Sequence, residues 1–459
     1  MEKSNTNITD CFIHNLMDFA ASIDDNVYRH IQNCFLDYLG CAWGGTTLLG
    51  TKVEMFINDT VGSAGKSEVF GQKTKYGATI AAFANGMFSH ALEMDDGQRV
   101  GTMHLAAPVF SGLLAIAEQE SITYDDFLKG AAVGYETAIR LACSIQPYHK
   151  KRGFHTTGTC GTIGVAMAVA TALHANFDQY KSTLSAAVSS AAGVLEMLAD
   201  DSELKPYNVG RAASDGLLSA YIGKCGFVSP NDALMGKRGF YATMTDKYDL
   251  SYVLDFEKYP VLCTTTFFKP YAACRHCHPA IEAALALTKQ HGIIPSKIKA
   301  IKVKTYDLAI VGHDHQEAKS VNSAKMSIPY SVAVAVIRQQ AGIQEFDLNT
   351  ITREDIAGLA KKVTVEEDPS LSALIPDKRA AIVEIMTDET VYQKKVDVAK
   401  GEPENPMSRE ELVQKFCFLA QYAGRDNRWC DRAAQMIFDS SKGSLMGSML
   451  PYLFGNTID

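Results

Sequence analysis

Apolar residues recur at helical spacing through most of the first 200 positions. Thr9-Asp10 can cap a first helix running to about Ile23, and Asp24-Asp25 open a second in which Val27, Ile31, Phe35, Tyr38 and Leu39 form one stripe. Small and apolar residues over 76–88 predict a buried helix, and the apolar run 105–118 predicts another. Thr123 with Asp126 makes a capping-box-like start for a helix through Cys143. Residues 161–175 are small and apolar nearly all round, which predicts a helix buried on every side; residues 178–198, rich in Ala and Ser, continue the helical pattern. No strand is expected before residue 200.

The period changes after about residue 265. Ile301, Val303 and Thr305 alternate with Lys302 and Lys304, as in a half-buried strand. Residues 362–366, 381–386 and 391–396 read as further short strands, with a helix over 327–340 between the strand at 301–305 and the first of these. Gly401-Glu-Pro-Glu-Asn-Pro406 is a polar break, after which 408–418 and 426–440 look helical again. The expected fold is therefore mainly α. A large all-helical domain, residues 1–265 completed by 401–459, carries a smaller inserted α+β lid domain, residues 266–400.

Composition narrows the class of protein. With 459 residues, 47% of them hydrophobic and 21% charged, the chain has ample material for a globular core. The net charge of −8 argues against nucleic acid as a partner, so an anionic substrate would have to be met by local cations. The opening residues MEKSNTNITD show no apolar core of a secretory signal, and no apolar run approaches the roughly 20 residues of a membrane span. Eleven cysteines without a framework spacing fit reduced thiols. A soluble cytoplasmic protein with no membrane partner is expected.

The chemistry gathers in a few polar stretches. His90-Ala-Leu-Glu-Met-Asp-Asp-Gly-Gln-Arg-Val-Gly-Thr-Met-His104 crowds Glu93, Asp95 and Asp96 between two histidines, with Gly97 and Gly101 available to turn the backbone. Set between apolar runs, such a cluster is where pKa values are tuned for catalysis; the alternative is a solvated, capped loop. Gly153-Phe-His-Thr-Thr-Gly-Thr-Cys-Gly161 reads as a polar turn ahead of the apolar helix, with His155 beside a helix N-terminus that favours an anion, or merely filling a gap. No Lys follows its last Gly, so a nucleotide is not expected. Lys205 and Arg211 stand six residues apart after Asp200-Asp201, and either can hold a carboxylate.

The densest segment is Lys269-Pro-Tyr-Ala-Ala-Cys-Arg-His-Cys-His-Pro279, whose Lys269, Arg275 and His276 suit a cleft between domains. Its Cys274-Arg-His-Cys-His278 core matches the haem-attachment pattern, which defines a distant alternative, a non-catalytic electron carrier. A zinc site there would lack a second ligand pair; His313-Asp-His315 is a weak candidate and reads better as a solvated loop. Tyr330 can donate a hydrogen bond to substrate or simply pack with its hydroxyl satisfied.

Taken together, His90-Ala-Leu-Glu-Met-Asp-Asp96, Gly153-Phe-His-Thr-Thr-Gly-Thr159, Lys205-Pro206 with Gly210-Arg211, and Lys269-Pro-Tyr with Arg275-His276-Cys-His-Pro279 resemble the MmgE/PrpD family, in that family's order and over nearly the whole chain. The resemblance implies a helical domain with a smaller α+β lid, usually as a homodimer. It also implies an active site between the two domains that needs no organic cofactor and no metal. His104 and His155 would be acid/base candidates, with Asp95 and Asp96 in the acidic loop and Tyr330 matching a family tyrosine. Lys205 and Lys269 would bind substrate carboxylates, with Arg211, Arg275 and His276 beside them. The implied reaction takes a proton from a carbon beside a carboxylate of a small di- or tricarboxylate. A cofactor-independent, dehydratase-like lyase is expected; an epimerase of an imino- or amino-linked dicarboxylate and an aconitate-type decarboxylase are the alternatives. Family dehydratases and decarboxylases typically follow the two aspartates with Thr-Trp and carry His-Pro, where this chain has Asp96-Gly-Gln-Arg99 and His104-Leu105, a pattern closer to the epimerase-type branch.

Overall fold

A computed structural model describes residues 7–60, 65–199 and 202–456; Asp200-Asp201 and residues 1–6 lie outside the described residues. The chain divides into two compact units. The first takes in the described residues of Met1–Ala199, Leu204–Thr266 and Ser408–Asp459, and the second those of Asp200–Glu203 and Phe267–Met407.

The first unit is a helical assembly of α1 (Ile8–Ala21), α2 (Asp25–Thr60), α3 (Ala78–Ala91), α4 (Ala106–Ala117), α5 (Tyr124–Ile145), α6 (Thr156–Ala172), α7 (Phe177–Ser190), α8 (Lys205–Lys224), and, from the C-terminal segment, α11 (Arg409–Tyr422) and α12 (Asn427–Asp439). Local chemistry starts these helices where polar caps stand. Asp24 Oδ1 accepts from Val27 N–H at α2, and Thr123 Oγ1 from Asp126 N–H at α5. At α1 the cap is Asn7, not Thr9-Asp10, because the Asn7 side chain accepts from Asp10 N–H while Thr9 turns its hydroxyl to Asp232. The stripe Val27, Ile31, Phe35, Tyr38 and Leu39 is buried.

Helix α6 forms the centre and packs on both α5 and α8. Every residue of it but Thr171 is buried, as its sequence of small and apolar residues without a charge predicts. It begins at Thr156, so most of the Gly-Thr-rich stretch expected to be a turn is already helix. Small residues let the backbones close: a Cβ on Gly134 of α5 would lie 2.8 Å from the Gly164 carbonyl of α6. The helical pattern over 178–198 stops at Ser190, where Ala191 turns extended, and only a 3-10 turn follows at Leu195–Leu198. A two-residue strand, Gly97–Gln98, interrupts the expected all-helical run.

The second unit contains a four-stranded sheet of β1 (Ile298–Thr305), β2 (Val363–Glu367), β3 (Ala381–Thr387) and β4 (Val391–Val396), in the order β2-β1-β3-β4. The β1–β2 pair is parallel and the other two are antiparallel, with Val303 opposite both Val365 and Val383. Ile301, Val303, Val383 and Ile385 turn inward, and α9 (His278–His291) and α10 (Ile328–Arg338) pack on the sheet. Among the described residues no helix is long and apolar enough to cross a membrane. The architecture is mainly α.

Candidate active site

The acidic loop joins α3 to α4 and is folded back on itself. Gln98 and Met103 exchange backbone hydrogen bonds (2.8 and 3.3 Å), and the Gln98 side-chain carbonyl accepts from Gly101 N–H. The left-handed positions are Glu93 (φ 60°) and Thr102 (φ 50°), where a non-glycine residue is strained. Gly97 lies in the short strand; Gly101 is needed for close approach, since a Cβ there would meet Ala142 of α5 at 2.9 Å. This reversal brings His104 against His90, with ring centroids 4.6 Å apart and nearly edge to face.

Asp95 joins the two imidazoles. Its Oδ2 lies 2.8 Å from His90 Nδ1 and 3.2 Å from His104 Nδ1, and both His90 and Asp95 are wholly buried. Burial by itself would raise the Asp95 pKa; the imidazoles of His104 and His90 override it and hold the carboxyl well below its usual range. His104 Nδ1 also faces the Asp96 carbonyl at 2.7 Å. With only acceptors before it, Nδ1 carries the proton, which puts the ring's lone pair on Nε2.

Asp96 is built differently from its neighbour. Its Oδ1 accepts from Leu105 and Ala106 N–H at the start of α4 (3.2 and 2.9 Å), and its Oδ2 accepts from the Tyr135 hydroxyl (2.8 Å). Burial pushes its pKa up to about 7 against those hydrogen bonds. Two adjacent carboxyls are thus driven apart, one ionised beside imidazoles and one near neutrality.

His155 is the N-cap residue of α6 and 6% exposed. Its N–H donates to Gly193 O (3.0 Å), and Gly158 allows that segment to approach, since a Cβ there would meet Ala192 O at 2.6 Å. Its Nδ1 is buried and has no hydrogen-bond partner among the described residues. Burial, then the charges of Lys205, His90 and His104, hold its pKa well below the usual value, so the ring is neutral near pH 7. His149, close by in sequence, makes the contrast: it is saturated by Met244 O (2.7 Å) and Thr159 Oγ1 (2.8 Å). Lys205, the first residue of α8, pairs with Glu93, whose Oε1 is also 3.6 Å from His90 Nε2. The first unit therefore assembles His90, Glu93, Asp95, Asp96, His104, His155 and Lys205. Arg211 is set apart, its guanidinium on Asp215 (2.8 Å) and Ser190 O (3.2 Å).

In the second unit, Lys269 and His276 lie in the segment before α9, Lys269 buried and His276 Nδ1 2.6 Å from the Tyr306 hydroxyl. Arg275 is a correction to the sequence expectation. Nε and Nη2 reach Glu402 (3.0 and 2.8 Å) and Nη1 reaches His278 Nδ1 (2.7 Å), so the guanidinium ties two loops together and has no N–H face left for a substrate. Tyr330 is likewise a packing residue: it is 2% exposed and its hydroxyl donates to Glu345 O (2.7 Å). The haem alternative fails on His278, which is fully buried with Nδ1 at Arg275 and Nε2 3.1 Å from Ala273 O. His313 is not solvated; it is buried with Nε2 3.2 Å from Cys274 Sγ.

Sequence reasoning missed Tyr135, Thr157, which accepts from His104 N–H (3.1 Å), and Lys415. Lys415 of α11 donates to the Met94 carbonyl (2.6 Å) and pairs with buried Asp37 of α2 (2.5 Å), holding the loop from below. Thr157 stands in the 153–161 stretch but was not singled out there, and Tyr135 and Lys415 sit in no polar motif, so no local signal marks them. His90, Asp95 and His104 also place metal-ligand atoms within 4.8 Å of one another, a donor set of the two-imidazole, one-carboxylate type. In this arrangement Nδ1 of each ring faces Asp95 Oδ2, so the three groups form a hydrogen-bonded relay, while Asp95 Oδ1 and His90 Nε2 are buried with no hydrogen-bond partner among the described residues.

Residues 12–253 match the MmgE/PrpD N-terminal domain and residues 271–436 the MmgE/PrpD C-terminal domain. Curated relatives include the cis-aconitate decarboxylase of Mus musculus, 26% identical over 91% of this chain and 86% of the relative. Those of Homo sapiens and Aspergillus terreus are each 25% identical, over 89% and 87% of this chain and 87% and 86% of the relative. With both family domains matched in order, the chain belongs to the MmgE/PrpD family.

Proposed function

We propose that this protein is a lyase of a small di- or tricarboxylate, working on a carbon beside a carboxylate with no cofactor. One observation carries the reading: His155 is a buried, neutral imidazole at a helix N-terminus, with an unpartnered Nδ1 and Lys205 nearby. A neutral imidazole is a competent base near pH 7. Loss of a proton or of CO₂ builds the same kind of carbanionic charge, which Lys205 and the N-terminus of α6 would stabilise. His104 Nε2 would be the second proton site, oriented by Asp95, Asp96 and His90. Lys269 and His276 are carried as carboxylate-binding candidates.

Among lyase reactions, decarboxylation of an aconitate-like acid comes first, because the curated relatives named above are cis-aconitate decarboxylases. Dehydration comes next. Epimerisation is kept as a second reading on the Asp96-Gly-Gln-Arg99 sequence. We also propose a homodimer, supported by the exposed apolar side chains Met55, Phe56, Leu204 and Tyr207 of the first unit.

The test is proton NMR of the enzyme in D₂O, with EDTA present, against cis-aconitate, citrate, 2-methylcitrate and imino- or amino-linked succinates. Loss of CO₂ or water with deuterium entering beside a carboxylate is the expected result. Exchange without net elimination would move the assignment to the epimerase. Turnover abolished by EDTA, or no exchange and no turnover across the panel, would overturn the proposal.

A further inference from the structure

Cys274 and His313 stand 39 residues apart in the chain and meet in the second unit, His313 Nε2 lying 3.2 Å from Cys274 Sγ. Each is fixed from behind. Gly312 adopts φ +78°, which turns His313 back so that its Nδ1 lies 2.8 Å from the Val311 carbonyl. A carbonyl only accepts, so Nδ1 carries the proton and Nε2 faces the thiol as a base. Cys274 is held by its own N–H, which donates to Lys325 O (2.8 Å), and by the turn that follows it at Arg275–Cys277. Nucleophile, base and orienting carbonyl are thus in line, the arrangement that activates a thiol. His313 is 7% exposed, and Cys274 is partly buried.

We propose that Cys274 and His313 form a thiolate–imidazolium pair that makes Cys274 a site of covalent modification by soft electrophiles. The groups facing the sulfur agree. Burial works against the thiolate, while the His313 imidazole, Lys269 and the His276 backbone N–H favour it and bring its pKa down to about 6. Against these stand Cys34, Cys41, Cys143, Cys160 and Cys263, buried thiols whose pKa values are all raised by burial. In the reaction with an alkyl halide, Sγ attacks carbon, the S–C bond forms as the carbon–halogen bond breaks, and halide leaves. The thiol proton passes to His313 Nε2 and then to solvent.

The test is alkylation of the full-length protein with limiting iodoacetamide at pH 6.5 and 8.5. Labelling of each cysteine is followed by peptide mass spectrometry, with glutathione as a free-thiol standard in the same tube. A free thiol titrating near 8.5 changes its rate about 50-fold over that interval. Cys274 is expected to change less than about two-fold, and to outrun glutathione at pH 6.5 but not at pH 8.5, since nucleophilicity falls with pKa. In His313→Gln, with an unchanged circular dichroism spectrum, labelling of Cys274 at pH 6.5 should fall at least about ten-fold. Three results would overturn the proposal: a Cys274 profile parallel to glutathione, no labelling of Cys274, or a wild-type profile in folded His313→Gln. The wild-type profile decides the matter even if the variant does not fold.

Discussion

At the scale of single residues, hydrogen-bond saturation separates roles that residue type cannot. His149 and His155 are both buried histidines beside α6, yet His149 has both nitrogens satisfied and His155 has Nδ1 open. His155→Ala should therefore lower turnover by about 10²–10⁴-fold while leaving the circular dichroism spectrum unchanged. Near-normal turnover would remove His155 from the mechanism. Because its folded pKa lies below the ordinary value, kcat/KM should hold as pH falls through 6.5 and decline only below it, when the imidazole takes a proton. The same sign applies to stability: the contribution of His155 is complete above the unfolded pKa near 6.5 and is lost as pH falls toward the folded value. Tyr330 makes the opposite case. Its hydroxyl donates to Glu345 O, so Tyr330→Phe should cost about 1 kcal/mol in denaturant unfolding and leave turnover within two-fold, as expected for a neutral buried hydrogen bond. A large kcat loss in a stable variant would return Tyr330 to the chemistry.

At the scale of elements, buried ion pairs hold the segments that the site depends on. Glu136 and Arg140, one turn apart on α5, are both wholly buried and 2.7 Å apart. Glu136 accepts from Leu262 and Cys263 N–H (3.0 and 2.7 Å), and Arg140 donates to the carbonyls of Tyr252 (2.7 Å) and Tyr259. The pair thereby fastens the 252–263 segment to α5. Glu136→Ala leaves a buried guanidinium without its counter-charge and should cost about 3–5 kcal/mol, read as a lower denaturation midpoint. A loss under about 1 kcal/mol would show the guanidinium to be solvated.

Helix capping and period were legible in the chain: Thr123 with Asp126, the Val27 to Leu39 stripe, and the Lys-alternating strand at Ile298–Thr305 all fold as their spacing predicts. The stop at Ser190 was not, because Ala191-Ala192-Gly193 carries no strong breaker before the glycine. There the chain leaves the helix so that Gly193 O can receive His155 N–H.

At the scale of the whole molecule, the proposed carboxylate substrate of an acidic chain would depend on local cations, and Lys205 and Lys269 are the proposed ones. The proposed homodimer can be read by light scattering. Phe56 and Tyr207 both contact Phe83 and are 37% and 42% exposed, so Phe56→Glu should shift a wild-type dimer to monomer. A wild-type monomer at micromolar concentration would discard the assembly.

What the sequence by itself determined is what depends on near neighbours: the helices and strands, the mainly α class, the family, and the histidines and carboxylates of the 90–104 loop. These follow from periodicity, capping and contiguous motifs, all readable over a few residues. Only the tertiary structure decided how each polar group is spent. Arg275 goes to Glu402, Tyr330 to Glu345 O, Lys415 to Asp37 and the Met94 carbonyl, and Cys274 to His313. A hydrogen bond needs its partner within about 3 Å, and these partners lie 15 to 378 residues away along the chain in positions with no shared motif. Burial has the same origin. Asp95 and Asp96 are adjacent and identical in type, and the surroundings that drive their pKa values in opposite directions come from α4, α5 and two histidines brought together by folding.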